Sequence, residues 1–337
     1  MRRRLCAAWA TLLVSAVGSA TAETFQFPTA NHALLEAGGE ARFFVGTAGK
    51  PWTSGQFGCV RSDGHQFHEG LDIRCLRRDR RGEPTDPVSA TTDATVAYIN
   101  THPGLSSYGN YVVLRHAIEG LEVYSLYAHL SAVRDGLKAG DRVRAGEVIA
   151  TMGRTSNTRQ RITPDRAHCH FELDLVASER YAAWHASRLP DQRNDHGNFN
   201  GYNLIGFDPA AVFHEQARLG AKFSLVRFLQ GQPEMFRVAV RVPTLPWVRR
   251  YAALVQPNPV AQREGVAGYE LALTFNGLPV RIIPRAASEL KSPAKVKLLS
   301  VNEAEWSGHP CAKLVFKRGQ AWTLLPRGQQ LLDLLTY

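Results

Sequence analysis

The sequence predicts a mainly β protein, in which an antiparallel, β-rich N-terminal unit is followed by a small α+β unit. Three observations lead there. Over residues 94–175, apolar and polar residues alternate in short segments cut by turn residues, and no long amphipathic helix interrupts them. NYVVLRHAI and LEVYSLYAHL flank Glu119-Gly120, which reads as a tight hairpin. YELALTF and LPVRIIP flank Asn276-Gly277, the strongest short hairpin signal a sequence offers.

Taken in order, the chain opens with Arg2, Arg3 and Arg4 before an apolar run that reaches Val17, and Ala20-Thr21-Ala22 places small residues where a signal peptidase reads. Residues 1–22 therefore read as a signal peptide, and the protein is expected to be exported, to the periplasm or the medium. The apolar run is shorter than the ~20 residues a bilayer span needs, so no stable membrane insertion is expected after cleavage. Cys6 precedes this run, which argues against a lipoprotein site.

The remaining 315 residues suffice for two domains, and 44% hydrophobic with 21% charged is a soluble globular composition. The expected division is a domain over 23–205, with its core at 55–178, and a second over 206–337. Removing residues 1–22 takes away three arginines and no acids, leaving 37 basic against 30 acidic residues. In an exported protein that excess favours anionic envelope polymers over nucleic acid as partners. The densest basic run, RCLRRDRRGE after Asp72, reads as a solvated hairpin or loop tip, with a substrate-facing patch as the alternative.

GLKAGDRVRAGEVIATMG (136–153) reads as short strands with glycines where the chain reverses. Residues 176–208 are less regular, with a short helix around 179–185 and a polar stretch, NDHGNFNGYN, that reads as a surface connection containing His196. In the second unit, helices are expected over 209–219 and 246–255, strands over 236–242, 295–301 and 311–317, and a terminal helix through QQLLDLL.

Four cysteines remain after processing, Cys59, Cys75, Cys169 and Cys311. Export permits disulfides, and a Cys59–Cys75 bridge would close a loop around the string HEGLD for a gain of roughly 3 kcal/mol. Cys169 lies between two histidines and must point to the opposite face of a strand, as a buried thiol.

Those histidines belong to the strings that carry chemistry, HEGLD at 68–72 and HCHFEL at 168–173. Side chains at i and i+2 share a face only in a strand, so His168 and His170 are expected on a strand facing one cavity. Zinc favours histidine and carboxylate ligands, and a catalytic zinc keeps three of them. His68, Asp72 and one histidine of the HxH pair would fill the three, leaving the other histidine as acid or base. Glu172 falls on the same strand face as His170 and is a candidate partner for it, with an ordinary exposed glutamate as the alternative.

HEGLD, YGN at 108–110, YAHLS at 127–131, AGDRVRAGEVIATMG and HCHFEL occur in the order seen in the lysostaphin-type, or LytM-like, zinc endopeptidases, which residues 55–178 resemble. The resemblance implies zinc held by His68, Asp72 and His170, with His129 and His168 as the catalytic histidines. It implies an antiparallel β-sandwich of the duplicated hybrid motif kind, and the peptide moiety of peptidoglycan as substrate. The expected protein is an exported zinc metalloendopeptidase, acting as a monomer on peptidoglycan cross-links or stems. Its rival is a catalytically inactive LytM-like binding module that activates another wall hydrolase. The chain departs from the resemblance before HxH, where RTSNTRQRITPDRA is longer and richer in arginine than the usual turn.

Overall fold

The computed structural model describes residues 25–159 and 161–337, so the expected signal peptide, with Cys6, lies outside the described residues. Among the described residues, the N-terminal half is built of twelve strands. These are β1 (Gly58–Arg61), β2 (Gln66–His68), β3 (Leu71–Arg74), β4 (Pro87–Ser89), β5 (Ala94–Asn100), β6 (Tyr111–Ile118), β7 (Leu121–Ala128), β8 (Leu130–Val133), β9 (Arg142–Val143), β10 (Val148–Met152), β11 (His168–Val176) and β12 (Leu204–Phe207). The principal sheet runs β12-β11-β7-β6-β5-β9, with β3 also paired to β11, and a three-stranded sheet, β4-β10-β8, accompanies it. All pairings between these strands are antiparallel. The mainly β antiparallel sandwich read from the sequence is thus the observed architecture.

The β6–β7 hairpin closes at Ile118 opposite Leu121. Its two turn residues both have positive φ, Glu119 at 50° and Gly120 at 78°, the backbone twist that matches a right-handed strand pair. The central strand β11 shows how alternation divides the molecule. Cys169, Phe171, Leu173 and Leu175 point into the main hydrophobic core, whereas His168, His170, Glu172 and Asp174 occupy the other face. All nine residues of the strand are buried, so that polar face lies beneath loops instead of facing bulk water.

Glycine permits one of the tightest approaches in the sheet. A Cβ on Gly70 of HEGLD would stand 2.2 Å from the Phe171 carbonyl oxygen, so only glycine lets this segment lie against β11. The register then sets His170 opposite Asp72 and His168 opposite Arg74.

The C-terminal half carries β13 (Phe236–Val240), β14 (Gly268–Leu273), β15 (Pro279–Arg285) and β16 (Val296–Val301) in a sheet of order β15-β14-β13-β16, and a hairpin of β17 (Val315–Arg318) with β18 (Ala321–Leu324). Helices over Pro209–Leu219 and Pro326–Leu335 match the sequence expectation, and the region expected to be helical over 246–255 is a short helix, Pro246–Arg250, followed by a 3-10 turn, Ala252–Leu254. The strand expected over 311–317 begins only at Val315. Residues of the two halves share one continuous core, and Tyr251 Oη accepts the Val176 N–H at 2.9 Å across them.

The disulfide differs from the expectation. Cys59 pairs with Cys311, 252 residues away, and Cys75 is a free buried thiol. The reason is topological: β1 and β2 form a separate two-stranded sheet, and Cys59 is turned toward the C-terminal half. Cys75, at the end of β3, has its single S–H shared between the Arg77 carbonyl at 3.0 Å and the Asp86 carboxylate at 3.2 Å. Cys169 is free and fully buried, as its strand position requires. Around the bridge, Phe275 packs edge-on against Phe57 and Phe67. Among the described residues, no helix is long and apolar enough to cross a membrane.

Candidate functional site

Strands β2, β3 and β11 bring His68, Asp72 and His170 together on the polar face. Their ligand-capable atoms form a triangle: His68 Nε2 to His170 Nδ1 is 3.1 Å, His170 Nδ1 to Asp72 Oδ1 is 3.0 Å, and His68 Nε2 to Asp72 Oδ1 is 3.1 Å. All three side chains are essentially buried.

The other nitrogen of each ring fixes which atom faces this triangle. His68 Nδ1 donates to the Gln56 carbonyl at 2.7 Å, so in the neutral ring Nε2 carries the lone pair. His170 Nε2 donates to Glu172 Oε1 at 2.7 Å, leaving the lone pair on Nδ1. Glu172 is therefore the partner of His170, buried with it. With both rings neutral, two ring lone pairs and a carboxylate oxygen converge, an arrangement relieved by an electropositive centre, either a proton on His170 Nδ1 shared with Asp72 or a metal ion.

Zinc–nitrogen and zinc–oxygen bonds of about 2.0–2.1 Å in a tetrahedron put ligand atoms about 3.4 Å apart. The observed edges are slightly shorter, and an ion would open them by a few tenths of an ångström. Two neutral imidazoles and one carboxylate thus fit a divalent metal of that size.

The titration tendencies follow from the same contacts. Burial lowers His68 to about 4, against the opposing pull of Asp72. Burial works against ionisation of Asp72, but the neighbouring His68, His168 and Arg61 outweigh it and hold the carboxyl well below its usual range. For His170 burial also opposes the charged form, yet hydrogen bonds to Asp72 and Glu172 raise it to about 9.

His129 and His168 adjoin the triangle. Their rings lie 4.8 Å apart edge to face, and the His129 ring is 5.9 Å from that of His170. His168 Nδ1 donates to the Arg166 carbonyl at 2.7 Å, and its Nε2 lies 3.4 Å from Asp72 Oδ1. His129 Nδ1 donates to the Thr155 carbonyl at 2.8 Å. Both rings are held by a backbone carbonyl with Nε2 left for chemistry. Burial, and then the charges of His168 and His170, lower His129 well below the ordinary histidine value.

His129 stands between β7 and β8 with φ of 60°, a left-handed conformation uncommon for a side chain of its size. The YGN string holds that kink. The His129 N–H donates to the Tyr108 carbonyl at 2.9 Å, and the Leu130 N–H to the Asn110 carbonyl at 3.0 Å. Gly109 lies so close to Thr155 that a Cβ there would be 2.2 Å from its carbonyl oxygen. The same carbonyl receives His129 Nδ1–H, so the glycine permits the contact that orients the histidine. Tyr108 itself packs at 5.6 Å from the His170 ring.

Sequence reasoning missed Arg61. Its Nη2 donates to Asp72 Oδ2 at 2.7 Å, which leaves Oδ1 to the histidines. It precedes HEGLD on β1, after a register irregularity, and no periodicity marks it. Also missed was Asp174, fully buried behind Glu172 with neither carboxylate oxygen partnered. Burial and the Glu172 charge push it well above the carboxylate range. His196, in the polar loop, is tied to Tyr98 Oη at 3.0 Å and the Leu105 carbonyl at 3.2 Å, a structural role away from the triangle. The basic run after Asp72 turns at Asp79–Gly82, and Glu83 within it pairs with Arg154 at 2.6 Å.

The profile of peptidase family M23 matches residues 66–181, which contain all five histidine and aspartate positions described above. The DD-carboxypeptidase/endopeptidase Mpg of Neisseria meningitidis serogroup B is 33% identical over 110 residues, 33% of this chain and only 20% of that protein. The lipoprotein NlpD of Yersinia enterocolitica is 30% identical over 95 residues, 28% of this chain and 84% of its own length. Among solved structures, the catalytic domain of lysostaphin from Staphylococcus simulans aligns with a TM-score of 0.29 at 19% identity, over 48% of this chain and 87% of that one. Because a relative is matched over most of its length and the profile runs from β2 through β11, the strands that set out the histidine cluster, the chain belongs to peptidase family M23.

Proposed function

We propose that the protein is an exported zinc metalloendopeptidase that hydrolyses peptide bonds in peptidoglycan cross-links or stem peptides. The observation that carries this reading is the buried triangle of His68 Nε2, Asp72 Oδ1 and His170 Nδ1, three ligand atoms within 3.1 Å of one another that a metal ion can hold together in place of the proton on His170. These residues would hold the ion, and zinc bound there supplies Lewis acidity toward water and a scissile carbonyl.

The remaining work falls to the chain. Arg61 keeps Asp72 ionised and oriented through Oδ2, and Glu172 holds His170 in the tautomer that presents Nδ1. His129, neutral and with Nδ1–H fixed on Thr155, accepts at Nε2 the proton of an attacking water. His168, fixed at Nδ1 by Arg166, serves the developing oxyanion when Nε2 carries a proton. Export rests on the sequence of residues 1–22 and accords with the lipoprotein relatives. The acceptor triangle and the two oriented histidines favour catalysis over a purely activating module.

The test is digestion of purified peptidoglycan by the zinc-loaded protein, with identification of the new amino termini. New termini that vanish on chelation and return with zinc support the reading. Intact peptidoglycan in the presence of zinc-loaded protein would overturn it in favour of an activator of another hydrolase.

A further inference from the structure

We infer that Arg74 and Arg166 form a carboxylate-binding subsite beside His168, which selects acidic peptides in which a free carboxylate lies one or two residues from the scissile bond. This rests on the peptidase reading and names the substrate chemistry of that site. Arg74 and Asp72 share a face of β3, and Arg74 is the direct cross-strand neighbour of His168. Opposed residues of antiparallel strands have Cβ atoms about 5 Å apart, so the Arg74 side chain leaves the sheet next to the candidate catalytic ring. Arg166 precedes the same ring by two residues, and its backbone carbonyl receives His168 Nδ1–H.

Both guanidinium groups are anchored on one short segment. Arg74 Nη2 donates to the Phe44 carbonyl at 3.0 Å, and Arg166 Nε to the Gly46 carbonyl at 2.9 Å. That segment borders β3, with the Val45 N–H donating to the Asp72 carbonyl at 2.9 Å. A guanidinium has five N–H donors, so most of theirs remain. The Nε of Arg74 is buried with no partner.

Neither arginine has an acid to pair with. Among the described residues, no carboxylate lies within ion-pair distance of either one. Asp72 spends its oxygens on Arg61 and the histidines, and Asp86 accepts the N–H groups of Leu76 and Arg77. Asp165, next to Arg166 in sequence, feels its charge without forming an ion pair. Two half-buried, uncompensated cations fixed along the 44–46 edge of β3, one strand from His168, are a receptor for a carboxylate, which planar guanidinium groups bind by paired hydrogen bonds. An extended peptide advances about 3.3 Å per residue, which places that carboxylate one or two residues from the carbonyl under attack.

A free α-carboxylate at the peptide end and a side-chain carboxylate are both candidates, and selective amidation separates them. Synthetic peptidoglycan stem peptides carrying both carboxylates free, or one or the other as its amide, are compared with the zinc-loaded wild type, Arg74→Gln, Arg166→Gln and the double variant. KM and kcat are read with zinc, and binding by calorimetry after chelation, so the subsite is measured whether or not turnover occurs. Amidation at one position is expected to weaken binding and raise KM about 10- to 100-fold in the wild type, with kcat changed by less than about threefold. In the double variant, that amidation should make no difference. Arg142→Gln, at an exposed site on β9 four strands away from β11, controls for lost net charge.

Indifference of the wild type to amidation at both positions would overturn the subsite, as would a double variant that still discriminates acid from amide. Turnover without discrimination leaves the peptidase reading standing and removes the subsite. Carboxylate-dependent binding without turnover does the reverse.

Discussion

Removing the Cys59–Cys311 bridge tests the way this fold is held together. The perturbation is the double variant Cys59→Ser/Cys311→Ser, which leaves neither half of the bridge as a new free thiol. The bridge joins residues 252 apart, and closing so long a loop in the denatured chain amounts to about 5 kcal/mol in the chain-entropy treatment, with measured losses usually about 2–5 kcal/mol. The loss should fall on the junction where Phe275 packs against Phe57 and Phe67. With a urea slope of about 3 kcal/mol per molar, a loss of this size lowers the midpoint by about 1–2 M, followed by tryptophan fluorescence. An unchanged midpoint would refute the reasoning. So would peptide mapping of the unreduced protein that joins Cys59 to Cys75.

Other perturbations separate the site from its scaffold. His116, buried with Nδ1 donating to the Asp93 carbonyl and Nε2 at 2.7 Å from Ser125 Oγ, is lowered by burial to about 4. The unfolded chain protonates this residue near 6.5 and the folded chain does not, so its contribution is complete above pH 6.5 and declines as pH falls toward 4. The wild type should therefore lose roughly 3 kcal/mol relative to His116→Gln between those limits, and parallel stability curves would contradict this. His129→Ala and His168→Ala should keep near-stoichiometric zinc and an intact fold while peptidoglycan cleavage falls at least about 100-fold; full activity in both would end the mechanism. Arg61→Gln should weaken zinc binding about 10- to 100-fold, measured by competition with a chelator, because Asp72 Oδ2 loses its cation; unchanged affinity would make Arg61 a bystander.

How far the sequence could be read follows from which interactions are local. Strand alternation placed His168, His170 and Glu172 on one face of β11 because the side-chain period is fixed by the backbone. Glu119-Gly120 declared its turn because glycine accepts a positive φ without strain and alternating apolar segments flank the pair. The role of Gly109, by contrast, depends on Thr155, a backbone neighbour that no pattern around YGN reveals. Proximity in the chain points Cys59 to Cys75, whereas its partner is set by the packing of the two halves. Arg61 has the same character, reaching Asp72 from a separate two-stranded sheet. The helix Leu225–Gln230 escaped notice because six residues give too little periodicity, although the Ser224 side chain accepts the Arg227 N–H at its start.

The most direct test of the account is metal analysis of the purified protein and five single alanine variants. One zinc ion per chain is expected in the wild type, near-complete loss in His68→Ala, Asp72→Ala and His170→Ala, and retention in His129→Ala and His168→Ala. The geometry that requires this is the triangle with edges of 3.0 and 3.1 Å. Full zinc occupancy in the three ligand variants would contradict the account, as would loss of zinc from His168→Ala with retention in His170→Ala.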